Sequence, residues 1–174
     1  EFLAQKASYL LQTGLCPAPK RILAISFKRD AARNLSERVA KRCPPEQARR
    51  FNSYTFDAFA KSLVDRFRAA LPDPYRPPAD YRIVMPRRQD YRDFLDTRGF
   101  HGVNADQFER AIARTRLPVV HEGSERERAV AAYWQAQYDD QDDVQLSFLM
   151  INRLVELLIR MNPSILKALL LTYP

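Results

Sequence analysis

The sequence holds little glycine, cysteine and histidine, and each shortage argues against a class of structure. Only 4 of the 174 residues are glycine, against 12 proline. Few glycines allow few turns with positive φ, so helices joined by proline-containing breaks fit the chain better than a hairpin-rich sheet. Cys16 and Cys43 form no CxxC pair and the 2 histidines add no ligand spacing, so we expect two free thiols and no metal site.

Long apolar runs are also missing. No stretch approaches the roughly 20 apolar residues of a membrane span, and no signal peptide opens the chain. We therefore expect no membrane contact and a reducing compartment for the two thiols. The sequence starts at Glu1 without methionine and stops at Pro174, and we expect both ends to be cut.

Positive charge is concentrated in the first half of the chain. Residues 1–80 hold 15 Lys and Arg against 8 Asp and Glu, a net +7, whereas residues 81–174 hold 13 of each. A basic half beside a neutral half suggests a surface that faces phosphates. A solubilising surface with no partner is the alternative, and charge alone does not separate the two.

The first 70 residues alternate between helical and extended patterns. Apolar spacing predicts helices over residues 1–14 and 29–43, with Gly14 as a C-terminal stop. The apolar run at residues 21–27 suits a strand buried on both faces, and residues 50–54 fit a second strand. Thr55 is a candidate N-cap for a helix reaching about residue 70. This alternation indicates an α/β layer.

Residues 71–80 contain four prolines and form the clearest boundary in the sequence. A short strand fits residues 81–84. Helices are predicted at about residues 86–98, 104–116, 124–139, 147–161 and 163–171, with a capping-box pattern at Ser124 and Glu127. Asn104 and Ser147 are further cap candidates, and Pro163 suits a first helical turn. The second half therefore reads as a helical module.

Two segments of the α/β half resemble motifs of UvrD/Rep-like superfamily 1 DNA helicases. ILAISFKRDAARNLSERV (22–39) is similar to motif Ia, in which an apolar strand is followed by Thr/Ser-Phe-Thr-Asn-Lys-Ala-Ala and a helix. Here Lys28, Arg29 and Asp30 replace the usual Thr-Asn-Lys. SYTFDAFA (53–60) resembles motif Ib, with Asp57 in place of the usual His.

Two further segments fit the same family in the same order. YRIV (81–84) with YRDFL (91–95) resembles the entry to the family's helical insertion. Residues 146–174 are similar to its approach to motif II, although Leu149 and Met150 stand where acidic residues are common. The resemblance implies a partial RecA-like P-loop NTPase domain at residues 1–70, a Pro-rich linker at 71–80, a 1B-like helical insertion at 81–160 and a returning helix at 161–174.

The resemblance also implies a function for the full-length protein. That protein would be an ATP-dependent helicase with 3′-to-5′ polarity, an ATP hydrolase that acts on single-stranded and duplex DNA in repair or recombination in the cytoplasm, associated with the nucleoid. ATP and Mg²⁺ would serve the full-length protein alone. This sequence contains neither GxxxxGK[ST] nor an apolar strand ending in Asp-Glu, so we expect the fragment itself to be catalytically inactive.

The DNA-contacting residues implied by the resemblance lie where the two predicted strands end. They are Ser26, Phe27, Lys28, Arg29, Thr55 and Phe56. In an α/β sheet the carboxyl ends of parallel strands face the ligand crevice, and helix N-termini there offer N–H groups to phosphates. A hydroxyl would bind phosphate and an aromatic ring would stack on a base. The alternatives are a core position for Phe27 and Phe56, and helix capping for Ser26 and Thr55.

The sequence leaves two interpretations open for the other basic and aromatic side chains, contact with nucleic acid or an ordinary surface or core position. Some of the following belong to the same DNA groove and the rest are solvated: Arg33, Arg38, Lys41, Arg42, Arg49, Arg50, Lys61, Arg66 and Arg68. Tyr133, Trp134 and Tyr138 share one predicted helix, where core packing is favoured over a platform for bases.

Two other functions remain open from the sequence. One is a stand-alone basic nucleic-acid-binding domain without a motor, and the other is a helical protein–protein module. We also expect the truncated chain to self-associate through exposed sheet edges.

Overall fold

The computed structural model describes residues 1–119, 121–139 and 143–174, and shows a mixed α/β chain with two small parallel sheets. In chain order its elements are α1 (Phe2–Gln12), β1 (Ile22–Ser26), α2 (Arg29–Ala40), α3 (Pro45–Ala48), β2 (Phe51–Thr55), α4 (Phe56–Phe67), β3 (Arg82–Val84), α5 (Arg88–Thr97), α6 (Ala105–Arg114), α7 (Glu125–Ala136), β4 (Gln145–Ser147), α8 (Phe148–Met161) and α9 (Pro163–Thr172). A 3₁₀ turn at Arg68–Ala70 follows α4. Within the described ranges, no helix is both long and apolar enough to cross a membrane.

The chain divides into two compact units, the first comprising Glu1–Phe59 with Asn162–Pro174 and the second Ala60–Met161. The division falls inside α4. The sequence suggested a boundary at residues 71–80, but those residues lie within the second unit, where Leu71 and Tyr75 are buried. Prolines constrain the backbone without preventing burial, which is why a Pro-rich segment can belong to a core.

The first unit is built on the parallel pairing of β1 with β2. A small core packs against one face of this pair, and α1 contributes Ala4, Ala7 and Leu11 to it at helical spacing. The other buried members of this core are Cys16, Val39, Cys43 and Phe51. Both cysteines are therefore buried and free, as the sequence predicted.

The C-terminal segment belongs to this first unit through polar contacts with the strands. The backbone N–H of Arg21 donates to the carbonyl of Thr172 at 2.7 Å. The hydroxyl of Tyr173 donates to Oδ1 of Asn52 at 3.2 Å. These bonds hold the end of α9 beside β1 and β2, in a unit made of sequence-distant segments.

The prediction that β1 is buried on both faces is wrong. Ile22 and Ala24 pack against the core, but Leu23 is only half-buried and Ile25 is 45% exposed. Successive side chains of a strand point to opposite faces, so a core on one side protects alternate residues only. Among the described residues β1 pairs with one strand, β2, and its second face stays partly open.

The second unit is mostly helical. Its strands β3 and β4 pair in parallel, in a register that runs from Arg82 opposite Gln145 to Val84 opposite Ser147. Predicted caps are confirmed: Ser124 and Glu127 form a capping box at α7, and Asn104 accepts a bond from the N–H of Asp106 at 2.9 Å. The Ser147 hydroxyl accepts from the N–H of Met150 at 3.4 Å, which caps α8. Pro163 lies in the first turn of α9, as expected.

Aromatic rings form the centre of the second unit. Phe94 stacks on Phe108 with ring centroids 5.9 Å apart, and Tyr133 meets Phe94 edge to face at 5.1 Å. Tyr91 packs edge-on against Phe108 at 5.8 Å, and burial raises the pKa of Tyr91 to about 12. Trp134 is 2% exposed, so the prediction that Tyr133 and Trp134 pack in the core is confirmed.

We predict that Phe108→Ala destabilises the protein by roughly 3–5 kcal/mol, because it removes a fully buried ring and leaves a cavity among three others. The free energy of unfolding would be measured by urea denaturation followed by circular dichroism. Phe27→Ala is the matched control, since that ring is fully exposed and its removal should change stability by less than about 0.5 kcal/mol. Equal losses in the two variants would contradict this core.

Candidate nucleic-acid interface

The two predicted strand-to-helix junctions lie side by side at one edge of the first sheet. β1 and β2 run parallel, with Ser26 directly opposite Thr55 in the register. Both strands end at this pair, and each is followed by a helix within a few residues. The structure therefore brings together two polar side chains and two helix N-termini, which we call the strand-end edge, defined by residues 26–30 and 55–58.

The first junction leaves the start of α2 open. Lys28 occupies the N-cap position with an extended backbone, and no side chain caps the helix. The hydroxyl of Ser26 donates instead to the carbonyl of Lys28 at 2.9 Å. The alternative reading of Ser26 as a helix cap is therefore wrong, because Lys28 is the N-cap residue and no side-chain oxygen of the described residues accepts from the first N–H groups of α2. Uncapped N–H groups at a helix start, with the positive end of the helix dipole, favour an anion.

The second junction is closed by its own side chain. The Oγ1 of Thr55 accepts a hydrogen bond from the N–H of Ala58 at 3.2 Å, so the predicted capping role is confirmed. Asp57 lies in the first turn of α4, where a carboxylate stabilises the helix dipole. The same carboxylate opposes a phosphate, so this junction is electrostatically less suited to an anion than the first.

Aromatic rings at this edge are exposed. Phe27 is 103% exposed and Phe56 is 56% exposed, so the alternative that both are core residues is wrong. Phe27 follows the last residue of β1 and precedes α2. Strand alternation continues it on the face of Leu23 and Ile25, opposite the face that packs against the core. Burying such a ring would contribute about 1.5–3 kcal/mol, so Phe27 is a large apolar group that remains available for contact in solvent.

The positive charge of the protein lies in the same unit. The first unit holds 12 Lys and Arg against 5 Asp and Glu, a net +7, and the second unit holds 16 of each. The whole excess of the chain therefore belongs to the unit that carries the strand-end edge. A field of one sign over one unit attracts polyanions from solution.

Several of the arginines proposed for the DNA groove are occupied by contacts within the protein. Arg33 pairs with Asp30, and both Arg38 and Arg42 pair with Glu1. Arg50 donates to the backbone carbonyls of Lys20 and Cys16. In the part of the chain that the structure describes, Lys28 and Arg29 are exposed and neither has an ion-pair partner. The free positive charge at the strand-end edge is thus carried by these two residues.

An aromatic cluster on the second face of the sheet was missed from the sequence. Tyr54 lies 5.9 Å from Phe59, and Phe59 lies 6.4 Å from Tyr173, measured between ring centroids. Strand alternation was a usable signal, because it places Tyr54 on the face opposite that of Thr55. The contact with Tyr173 had no sequence signal, since it joins residues far apart in the chain.

A scan of protein-family models supports the assignment of these junctions to a known domain. The UvrD/REP helicase N-terminal domain matches residues 1–141, a range that includes both junctions and most of the helical unit. A search of curated proteins found no match. Among residues 1–119, 121–139 and 143–174, no three His, Cys, Asp or Glu side chains are grouped so that they could hold a metal ion.

Proposed function

Because the chain belongs to the UvrD/Rep helicase family, we propose that it grips single-stranded DNA at the strand-end edge as part of an ATP-dependent helicase. In this proposal residues 1–70 and 161–174 provide the RecA-like part and residues 81–160 form a 1B-like insertion. Residues 71–80 link the two along the chain, although they and the end of α4 pack within the second compact unit. The full-length enzyme would translocate 3′ to 5′ and act on single-stranded and duplex DNA in repair or recombination. The setting is the cytoplasm, in association with the nucleoid.

The observation that carries the proposal is the register that sets Ser26 opposite Thr55. Parallel pairing makes both junctions open at the same edge, so one strand of nucleic acid can touch both. Ligands in open α/β sheets bind outside the carboxyl ends of the strands, which is the position of this edge.

Each residue of the edge has a role in this proposal. The exposed ring of Phe27 stacks on a base, which requires no particular sequence because every base has a π face. Lys28, Arg29 and the uncapped start of α2 bind the adjoining phosphate. Ser26 holds the loop shape by donating its hydroxyl proton to the carbonyl of Lys28, so its oxygen is left to accept from an N–H of a base and not to bind phosphate.

The second junction contributes less electrostatic attraction. Thr55 is committed to capping α4, and Asp57 repels phosphate, so the half-exposed ring of Phe56 provides the main contact there. The edge therefore combines one charged junction with one mainly apolar junction. That combination suits a nucleic acid whose base and backbone are both accessible, which is a single strand.

ATP does not fit the residues of this chain. The sequence has no GxxxxGK[ST] loop to hold a triphosphate and no apolar strand ending in Asp-Glu to position Mg²⁺. We propose that ATP and Mg²⁺ act only in the full-length enzyme and that this chain alone is inactive.

We predict that the 174-residue chain releases no phosphate from ATP above background, with or without single-stranded DNA. A coupled phosphate-release assay measures this directly, and a full-length helicase of the family is the positive control. Hydrolysis that rises on adding DNA, and persists after further purification, would contradict the proposal.

We predict that Phe27→Ala weakens binding to labelled oligothymidine by roughly 1–3 kcal/mol, because a stacked base loses its aromatic partner. Fluorescence anisotropy over a range of KCl concentrations gives the affinity and its salt dependence. Phe2→Ala is the matched control, since Phe2 is an exposed ring on α1 of the same unit that does not belong to the strand-end edge, and its removal should leave affinity unchanged. A loss below about 1 kcal/mol for Phe27→Ala removes this residue from the interface.

The same titration separates the two other functions. Affinity that falls with salt while Phe27→Ala matches wild type favours a basic nucleic-acid-binding domain that works through charge alone. No affinity for DNA at any salt concentration favours a helical protein–protein module. Self-association of this chain stays a prediction, and the exposed leucines of α9 provide apolar surface for it.

A further inference from the structure

A second basic site lies in the helical unit, whose net charge is zero. α6 packs against α7, and a cavity of about 410 Å³ opens beside them. Its charged and polar lining residues are Gln107, Arg110, Arg114, Thr115, Arg126 and Glu127. Three arginines thus converge on one concavity although the unit as a whole is neutral.

Some arginines of the same unit are engaged in ion pairs, whereas among the described residues the three that line this cavity are not. Arg82 pairs with Asp143, Arg88 with Asp106 and Arg160 with Glu156. Arg110, Arg114 and Arg126 are exposed, and within the described ranges none of them has an ion-pair partner. Their guanidinium groups are free to bind an anion.

The single acidic residue of the cavity is committed elsewhere. The carboxylate of Glu127 accepts bonds from the backbone N–H and the hydroxyl of Ser124, each at 2.8 Å, in the capping box of α7. These bonds, with a smaller contribution from the nearby charge of Arg126, lower the pKa of Glu127, so it stays ionised and bound to Ser124. With three arginines and this one carboxylate, the lining keeps a net positive charge.

The geometry of the two helices adds to the attraction. Arg110 and Arg114 lie one turn apart on the same face of α6, where like charges repel each other. Arg126 is in the first turn of α7, at the positive end of that helix dipole. An anion in the cavity would relieve the repulsion, and arginine forks match the oxygens of a phosphate group.

We propose that Arg110, Arg114 and Arg126 bind one phosphate group, supplied by a nucleic-acid backbone. The three residues belong to the second unit only, so the site is separate from the strand-end edge. The inference rests on the proposed function only in naming a nucleic-acid backbone as the source of the phosphate. Free inorganic phosphate would present the same oxygens to the three arginines.

The test compares two variants that remove the same charge. Arg114→Gln/Arg126→Gln removes two arginines of the cavity, and Arg116→Gln/Arg128→Gln removes two exposed arginines close to them in sequence that do not line it. Affinity for a short labelled duplex DNA is measured by anisotropy at several KCl concentrations. Circular dichroism of each variant checks that the helices are intact.

We expect the cavity pair to weaken binding about tenfold at low salt and to reduce the slope of log affinity against log salt by about 1, the change expected for one lost phosphate contact. The control pair should leave the slope unchanged. Arg114→Lys/Arg126→Lys keeps the charge, so it should keep the slope and lose part of the affinity. Equal weakening by the cavity and control pairs, or no effect of the cavity pair on DNA or phosphate, overturns the proposal.

Inorganic phosphate at constant ionic strength distinguishes the two sources. If it displaces the duplex from wild type more than chloride does, and the cavity pair loses that excess, the site takes free phosphate as well as backbone phosphate. If phosphate and chloride act alike while the cavity pair still weakens DNA binding, the site recognises phosphate only within the backbone. The loss that Phe27→Ala causes is read on oligothymidine, whereas the change of slope caused by the cavity pair is read on duplex DNA, so failure at one site is distinguishable from failure at the other.

Discussion

The pairing of β1 with β2 is the constraint on which the candidate interface depends. Because the strands are parallel and Ser26 lies opposite Thr55, the two strand-to-helix junctions lie at the same edge of the sheet although they are distant in sequence. An antiparallel pair would place the two junctions at opposite ends of the strands. A register slipped by one residue would turn Ser26 away from the face it shares with Thr55. The core formed by α1, α2 and β2 holds this register from one side of the sheet.

Charge is distributed so that each unit presents it differently. The first unit carries the entire excess charge of +7, yet many of its arginines are engaged in ion pairs or in bonds to backbone carbonyls. At the strand-end edge, Lys28 and Arg29 are exposed and have no ion-pair partner among the described residues. The second unit has no net charge, and three arginines that have no ion-pair partner among the described residues line one cavity. Net charge thus indicates which unit attracts nucleic acid from a distance, while pairing indicates which residues can touch it.

Much of the fold follows from local sequence signals. The capping box at Ser124, the cap at Asn104 and the apolar spacing of α1 and α2 each locate a helix within a few residues of its observed bounds. The short elements α3 and β4 were not predicted, because three or four residues carry little periodicity, although the equally short β3 matches the strand expected at residues 81–84. β4 exists because β3, far away in sequence, offers hydrogen bonds to it.

The candidate site was only partly predictable. The six residues of the two junctions could be named from the family resemblance. Their surroundings required the structure, in which Phe27 lies in solvent, Thr55 caps α4 and Ser26 bonds to a carbonyl. An apolar residue after a strand suits either core or surface, so its exposure required the structure. The ion pairs of Arg38 and Arg42 with Glu1 likewise could not be predicted from the sequence, because they depend on how α1 and α2 pack.

The central claim is that one strand of DNA contacts both junctions at once. The most direct measurement is the change in backbone amide chemical shifts as oligothymidine is added to isotope-labelled protein. The account predicts that the amides of residues 27–30 and of residues 55–58 shift together and saturate with one dissociation constant. Shifts confined to one junction, or two different dissociation constants for the two, would contradict it.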